Sequence, residues 1–218
     1  MREIYLDNAA TTRPGPEAID AIRQVLEDGF GNPSSLHRRG LAAARRIEEQ
    51  AAALAAAVGS GAWRVLFTSG GTEADNLAVL GGAPRGKRDG IVITTLEHAA
   101  VADAADRLAA AGARVTRISA GRGGVIDPEK VVEHVDERTA LVALNHVANE
   151  LGTVQPVARV ARLVKRVAPR ARVHVDAVQA LAQLERLDYP EEVDSIAVSA
   201  HKIHGPPGVG ALLVRRDV

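Results

Sequence analysis

The stretch RVLFTSGGTEADNLAVL, residues 64–80, decides the fold class because it joins a strand, a turn and a helix. Its first part, Arg64–Ser69, is a short and mostly apolar run that favours a β-strand. Gly70 and Gly71 then punctuate a turn, and Glu73–Leu80 has the composition of a helix. A strand that passes directly into a helix is the repeating unit of an α/β sheet, in which crossovers are right-handed.

The same alternation runs along the rest of the chain. Most of its apolar runs lack polar alternation, which is typical of strands covered on both faces. The predicted strands are Arg64–Ser69, Gly90–Thr94, Arg114–Ile118, Thr139–Asn145, Arg172–Asp176, Ser195–Ser199 and Gly210–Arg215. The predicted helices are Pro16–Asp28, Leu41–Val58, Glu73–Leu80, Ala99–Ala111, Pro128–Val135 and Pro156–Val167. We predict a three-layer α/β/α fold around a mostly parallel mixed sheet of about seven strands, one of them antiparallel.

Composition excludes several classes of protein. The chain has 218 residues, and its 27 Lys and Arg balance its 27 Asp and Glu, so no basic excess is available for nucleic acid or an anionic membrane. No apolar window is long enough to span a membrane, and no secretory signal follows Met1. The absence of Cys excludes a disulfide scaffold, a thiolate metal site and a cysteine nucleophile within these residues. We expect a cytoplasmic protein without a bound metal.

Two segments that follow strands carry groups suited to binding an anion. Gly71 and Thr72 precede a helix, whose free N–H groups and positive dipole end favour a phosphate. Ser199 and His201 add a hydroxyl and an imidazole after a later strand. The alternative for the first segment is an N-capped turn in which Thr72 only caps the helix.

Three other polar residues follow strands at the same predicted edge, where open α/β sheets bind ligands. His98 could stack on a flat cofactor or transfer protons, or it could only cap a helix. Asn149 could bind a ligand oxygen, or it could satisfy a turn. Asp176 ends a buried strand, where a carboxylate needs a partner. That partner could be the protonated ring nitrogen of a pyridine cofactor or an arginine elsewhere in the chain.

Lys202 follows a buried strand and precedes a rigid Gly-Pro-Pro-Gly turn at residues 205–208. Burial and a neighbouring cation lower the pKa of a lysine, so that its neutral amine can attack a carbonyl carbon. The alternative is a surface lysine. Together with the anion-binding and ring-facing residues, this lysine completes the groups that pyridoxal 5'-phosphate (PLP) needs.

With these motifs in order, the sequence resembles the cysteine desulfurases of the class V aminotransferase group. The resemblance also includes Ile4–Thr12 (IYLDNAATT) and Gly31–Ser35 (GNPSS), and it covers essentially the whole chain. One departure is Ala148, where the family often has asparagine; the adjacent Asn149 is the residue implied in cofactor contact.

The resemblance implies a role for each matching residue. Lys202 would hold PLP covalently and remove the substrate α-proton, and His98 would stack on the ring and assist proton transfer. Asp176 would pair with the ring nitrogen, and Asn149 and Gln179 would bind the ring oxygen. The implied phosphate ligands are Gly71, Thr72, Ser199 and His201.

The resemblance also implies what lies outside this sequence. Family members are roughly twice as long, and their C-terminal small domain carries the cysteine that takes the sulfur. We expect residues 16–218 to form the PLP-binding large domain and residues 1–15 to pack with that small domain. The implied substrate is L-cysteine, the implied assembly is a homodimer, and a sulfur acceptor or scaffold for iron–sulfur cluster or thionucleoside assembly is the implied partner.

The same residues also fit other functions. One alternative is another class V PLP enzyme, such as an aminotransferase or a selenocysteine or cysteine lyase. Another is a fragment or split half that binds PLP without catalysis. We expect that the chain by itself is inactive in sulfur transfer.

Overall fold

The structure, a computed structural model, describes residues 4–59, 63–82 and 86–216. The helices are α1 (Pro16–Glu27), α2 (Arg38–Ala57), α3 (Gly71–Gly81), α4 (Ala99–Ala110), α5 (Pro128–Val132) and α6 (Val157–Val167). The strands are β1 (Trp63–Thr68), β2 (Gly90–Thr94), β3 (Arg114–Ile118), β4 (Thr139–Asn145), β5 (Arg172–Asp176), β6 (Ser195–Ser199) and β7 (Gly210–Arg215). A short 3₁₀ turn, Ala200–Lys202, follows β6.

These strands form one seven-stranded sheet in the order β1-β7-β6-β5-β4-β2-β3. Strands β3, β2, β4, β5 and β6 run parallel to one another, whereas β7 runs antiparallel to both β6 and β1. The predicted fold class is confirmed, including the antiparallel strand that follows β6 without a helix between them. Because β1 is again parallel to β6, the carboxyl ends of β1, β2, β4, β5 and β6 share one edge of the sheet.

The core lies on both faces of the sheet. On one face, Val142, Val173 and Ile196 belong to a large buried cluster that includes residues of α6. On the other face, Ile91 and Leu141 pack with residues of α3 and α4. Because side chains alternate along a strand, His174 and Asp176 of β5 lie on the same face of the sheet. Helix α3 contacts β5, β6 and β7 on its side of the sheet.

Several helices start earlier than their sequence predicts. Helix α3 begins at Gly71, with Gly70 as its N-cap, so Thr72 lies in the first turn and does not cap the helix. Helix α2 begins at Arg38 because His37 accepts a hydrogen bond from the Gly40 N–H at 3.3 Å. The predicted starts were Glu73 and Leu41, whereas the caps that start these helices lie a few residues upstream.

Helix α1 differs from the other helices in its packing. None of its residues is buried, although Ile19, Ile22 and Val25 recur at helical spacing and are about two-fifths exposed. Within the described ranges, no helix combines the length and the apolar character that crossing a membrane requires.

Candidate active site

A cavity of about 550 Å³ lies at the edge of the sheet where five strands end. Side chains from after β1, β2, β4, β5 and β6 line it, as expected for parallel strands that share an edge. All the residues that the sequence singled out border this one cavity: Gly71, Thr72, His98, Asn149, Asp176, Gln179, Ser199, His201 and Lys202. The structure therefore brings the predicted site residues together, and their individual roles remain predictions.

The anion-binding part of the cavity is the N-terminus of α3 beside the end of β6. Ser199 is buried, and its Oγ has no hydrogen-bond partner among the described residues. Gly71 is also buried, and a Cβ added there would lie 2.6 Å from Val178 Cγ2 and 3.5 Å from Ser199 Cβ. Gly71 thus keeps open the space between the helix terminus and a hydroxyl that needs a partner.

The glycine turn before α3 is held by a close backbone approach from β7. A Cβ added at Gly210 would lie 2.5 Å from the Gly70 carbonyl carbon. The two carbon atoms would clash at this distance, so the backbone would have to shift. Gly210→Ala is therefore expected to displace the Gly70–Gly71 turn and to lower the free energy of unfolding by about 1–3 kcal/mol. Urea unfolding measures this loss.

The matched control for this substitution is Gly121→Ala. The nearest atom to an added Cβ there is the Val125 carbonyl oxygen at 3.6 Å, an ordinary contact. Equal stability of the two variants would show that the approach of β7 to Gly70 does not constrain the turn.

Asp176 lies at the end of β5 with its side chain bonded to the local backbone. Its Oδ1 accepts a hydrogen bond from the Val178 N–H at 2.9 Å, and the residue is 7% exposed. Burial, with a smaller contribution from the negative charge of Asp75, raises the pKa of Asp176 to about 7. A cationic group in the cavity would favour its carboxylate form.

His98 caps a helix and also borders the cavity. It is the N-cap of α4, where its Nδ1 accepts a hydrogen bond from the Ala100 N–H at 3.1 Å, and it also borders the cavity. Because Nδ1 accepts, the neutral ring carries its hydrogen on Nε2. The cap therefore fixes both the position and the tautomer of the ring.

Lys202 is half-buried, and the N-terminal segment binds its amine. Its Nζ donates to the carbonyl oxygens of Ala9 at 2.5 Å and Ala10 at 2.8 Å. Gln179 Nε2 donates to the same Ala9 oxygen at 2.8 Å. Burial lowers the pKa of Lys202, opposed by the negative charges of Asp176 and Asp7. A carbonyl carbon can be attacked by this amine only after the two backbone hydrogen bonds open.

The N-terminal segment is tied to the same loop by further bonds. Thr12 is buried, its Oγ1 donates to the His201 carbonyl at 2.9 Å, and it accepts from the His204 N–H at 2.7 Å. His201 Nδ1 lies 3.1 Å from Thr11 Oγ1. Residues 9–12 and the loop after β6 therefore form one wall of the cavity. The predicted contact of residues 1–15 with a further domain stays a prediction, and residues 1–3 lie outside the described residues.

Sequence reasoning missed part of the cavity lining. The additional lining residues are Asp7, Ala9, Ala10, Asp75, Asn145, Val147 and Val178. Asn145 ends β4 opposite Asp176 in the sheet register, and its Oδ1 is buried without a partner among the described residues. A polar residue at the end of an apolar strand was the signal that identified Asp176, and the same signal applies to Asn145.

The donor set of this cavity fits PLP. A half-buried lysine, a carboxyl group and an unpartnered hydroxyl beside a helix N-terminus match the aldehyde, the ring nitrogen and the phosphate of that cofactor. The volume falls within the range of small-molecule sites.

Comparison with known proteins places this geometry in a family. The model of the family described as aminotransferase class-V matches residues 4–218. A cysteine desulfurase of Cereibacter sphaeroides is 44% identical in an alignment of 221 positions, which covers 100% of this chain and 57% of that protein. A cysteine desulfurase IscS of Dictyoglomus turgidum is 36% identical and is covered over 55% of its length.

Solved structures give the same result. One described as a NifS-like protein superposes with a TM-score of 0.92 and 34% identity, over 100% of this chain and 60% of that one. One described as SspA in complex with cysteine has a TM-score of 0.88 and 28% identity, over 98% of this chain and 62% of that one. This chain thus spans somewhat more than half the length of these relatives. The resemblance seen in the sequence is confirmed, and the chain belongs to the class V aminotransferase family.

Proposed function

We propose that this chain binds PLP through Lys202 and forms the cofactor-binding part of a cysteine desulfurase. The observation that carries the proposal is the convergence of Lys202, Asp176 and Ser199 on one cavity. The relatives named cysteine desulfurase support the choice of reaction. The similar structure described as a complex with cysteine supports L-cysteine as the substrate.

The proposed binding roles are those that the family resemblance implies, at residues that line the cavity. Ser199 Oγ, Thr72 and the first N–H groups of α3 bind the phosphate, together with His201. The pKa of His201 is lowered by burial and by the charge of Lys202, which favours the neutral ring. Asn149 and Gln179 bind the ring oxygen, and His98 stacks on the ring in the orientation that its capping bond fixes.

The proposed chemical roles belong to Asp176 and Lys202. When bound, PLP supplies an electron sink that stabilises negative charge at the substrate Cα. Asp176 keeps the ring nitrogen protonated through its carboxylate. Lys202 Nζ removes the proton from the substrate Cα, a task that suits an amine whose pKa burial has lowered. His98 assists this proton transfer through its Nε2.

The fate of the sulfur is proposed from the relatives. This chain contains no cysteine, so the thiol that takes the sulfur belongs to polypeptide outside these residues. We propose that this further part packs against residues 1–15, and that the assembly is a homodimer in the cytoplasm that passes sulfur to an acceptor protein. The exposed apolar residues of α1 support the presence of such a neighbour.

Exchange of the substrate α-proton tests the proposed function without the missing thiol. The PLP-loaded chain is incubated with L-cysteine in D₂O, and deuterium at Cα is measured by mass spectrometry. We expect exchange well above that of free PLP because Lys202 removes the α-proton. Alanine and sulfide are expected to stay at the level of free PLP.

Two controls make this result specific. D-Cysteine tests whether one face of Cα is selected, and the Lys202→Ala variant tests which base acts. Exchange no faster than with free PLP would overturn the proposed proton removal. Rapid formation of alanine and sulfide would overturn the assignment of the sulfur-accepting thiol to polypeptide outside these residues.

A further inference from the structure

A buried carboxyl–imidazole pair lies at the wall of the cavity, and the proposed function assigns it no role. Asp75 of α3 is 1% exposed, and its Oδ1 lies 3.1 Å from Nε2 of His174, which is fully buried. The other ring nitrogen, Nδ1, lies 2.9 Å from Ser195 Oγ. A chain of three side chains thus runs from α3 through β5 to β6.

The three side chains lie next to Asp176, the second carboxyl group that faces the cavity. Asp75 and Asp176 line the same cavity, and His174 lies two residues before Asp176 on the same face of β5. Two buried carboxylates in one site repel each other, so the pair holds one negative charge more readily than two. The function of the site depends on which of the two carries that charge.

The two carboxyl groups differ in their hydrogen-bond partners: the partner of Asp176 can only donate, whereas the partner of Asp75 is able to accept. Asp176 Oδ1 accepts from a backbone N–H, and a donor stabilises the charged form of a carboxyl group. The partner of Asp75 is an imidazole nitrogen, which accepts a hydrogen when the ring is neutral and Nδ1 carries the ring hydrogen. Ser195 Oγ then accepts from Nδ1.

We propose that Asp75, His174 and Ser195 form a hydrogen-bonded chain that holds a proton on Asp75, so that the negative charge of the two cavity carboxyls resides on Asp176. His174 and Asp75 are positioning residues in this arrangement, since they act on the cavity through Asp176. The value of a charged Asp176 rests on the proposed function, whereas the place of the proton is a property of the chain itself.

The electrostatic environment agrees with this arrangement. Burial raises the pKa of Asp75 to about 8 and lowers the pKa of His174 to about 4. Their contact is therefore a hydrogen bond between two neutral groups and not an ion pair. Among the described residues, the other titratable groups that line the cavity or act on its carboxyls are Asp7, Glu97, His98, Tyr189, His201 and Lys202.

Magnetic resonance of the cofactor-free chain tests the proposal directly. Aspartate labelled with ¹³C at the carboxyl carbon gives one titration curve for each residue, and Asp75→Asn and Asp176→Asn assign the two signals. We expect Asp176 to ionise at a lower pH than Asp75. Labelling with ¹⁵N-histidine is expected to show His174 neutral with its hydrogen on Nδ1 from about pH 5 to about pH 8.

Two substitutions of His174 separate a positioning role from a packing role. Gln at this position keeps an oxygen that accepts from Asp75, whereas Leu fills similar space without an acceptor. His174→Leu is expected to raise the midpoint of the Asp176 titration by about one pH unit, a tenfold change in proton affinity, and His174→Gln is expected to restore it.

These measurements test the place of the proton, and they do not depend on the proposed function. An Asp75 that ionises before Asp176, or a His174 that carries its hydrogen on Nε2, would overturn the proposal. Sequential assignment of the wild-type spectrum identifies the same signals, so both results are obtained even if a variant fails to fold. Because no cofactor is present in these measurements, a chain that fails to bind PLP would refute the proposed function and leave this test intact.

Discussion

A Lys202→Ala variant is expected to lose all borohydride-reducible attachment of PLP, whereas the wild-type chain forms a covalent bond that borohydride traps. Lys202 borders the cavity, and burial lowers the pKa of its amine. A larger fraction of neutral amine at neutral pH favours attack on the PLP aldehyde. The visible absorption band of attached PLP and the mass of the trapped peptide measure the result.

The matched control for this variant is Lys130→Ala. Lys130 lies exposed on α5 and does not line the cavity. The control is expected to keep the absorption band and the trapped adduct at Lys202. An adduct at another lysine in the wild-type chain, or a band that persists in Lys202→Ala, would contradict the assignment. Circular dichroism checks that both variants are folded.

The sequence predicted the strands of this chain almost to the residue because their apolar runs are bounded by polar and glycine residues. Six of the predicted strands, from Gly90–Thr94 to Gly210–Arg215, have the bounds that the structure shows, and the first is displaced by one residue. Helix starts were less predictable. Gly70 and His37 begin their helices through backbone geometry and a side-chain cap, which composition does not reveal.

The candidate site was predictable where one residue follows one strand, and not where distant segments meet. Lys202 and Asp176 follow buried strands, a pattern visible in the sequence. The bonds from Lys202 to Ala9 and Ala10 join residues more than 190 positions apart and use backbone oxygens, which carry no residue-specific signal. Asp75 was missed because its partner His174 lies on another element.

The stability of the cofactor-free chain is expected to fall as pH rises from about 6.5 to about 8. Burial raises the pKa of Asp75 and of Glu97 to about 8 and that of Asp176 to about 7. Each folded-state value lies above the unfolded one, so the folded chain holds protons that the unfolded chain releases. As pH rises, each carboxyl group that stays protonated only in the folded chain makes the free energy of unfolding fall by about 1.4 kcal/mol per pH unit.

His174 acts in the opposite direction over a different interval. Burial lowers its pKa to about 4, so below about 6.5 the unfolded chain binds a proton that the folded chain does not. The stability that this group contributes is lost as pH falls from about 6.5 to about 4. Over that interval its effect on the slope of stability against pH cancels the effect of one of the three carboxyl groups. Above about pH 6.5 the offset ends, and the decline caused by the carboxyl groups becomes steepest.

Urea unfolding at a series of pH values measures this slope, and Asp75→Asn tests its origin. The variant removes one of the three carboxyl groups and also removes a negative charge that raises the pKa of Asp176 and Glu97, so its slope is expected to be shallower by more than one-third. Asp103→Asn, on the exposed side of α4, removes a carboxyl group outside the cluster and serves as the control. A wild-type stability that rises over this interval would contradict the raised pKa values.

Addition of PLP extends the same argument to the candidate site. A positive ring nitrogen beside Asp176 would favour its carboxylate form, and Asp176 would then stop releasing a proton on unfolding. The PLP-loaded chain is therefore expected to show a shallower slope than the cofactor-free chain, and Asp176→Asn is expected to remove that difference. If PLP leaves the slope of stability against pH unchanged, the cofactor does not change the ionisation of Asp176. Binding alone would still add stability, because it need not move a proton.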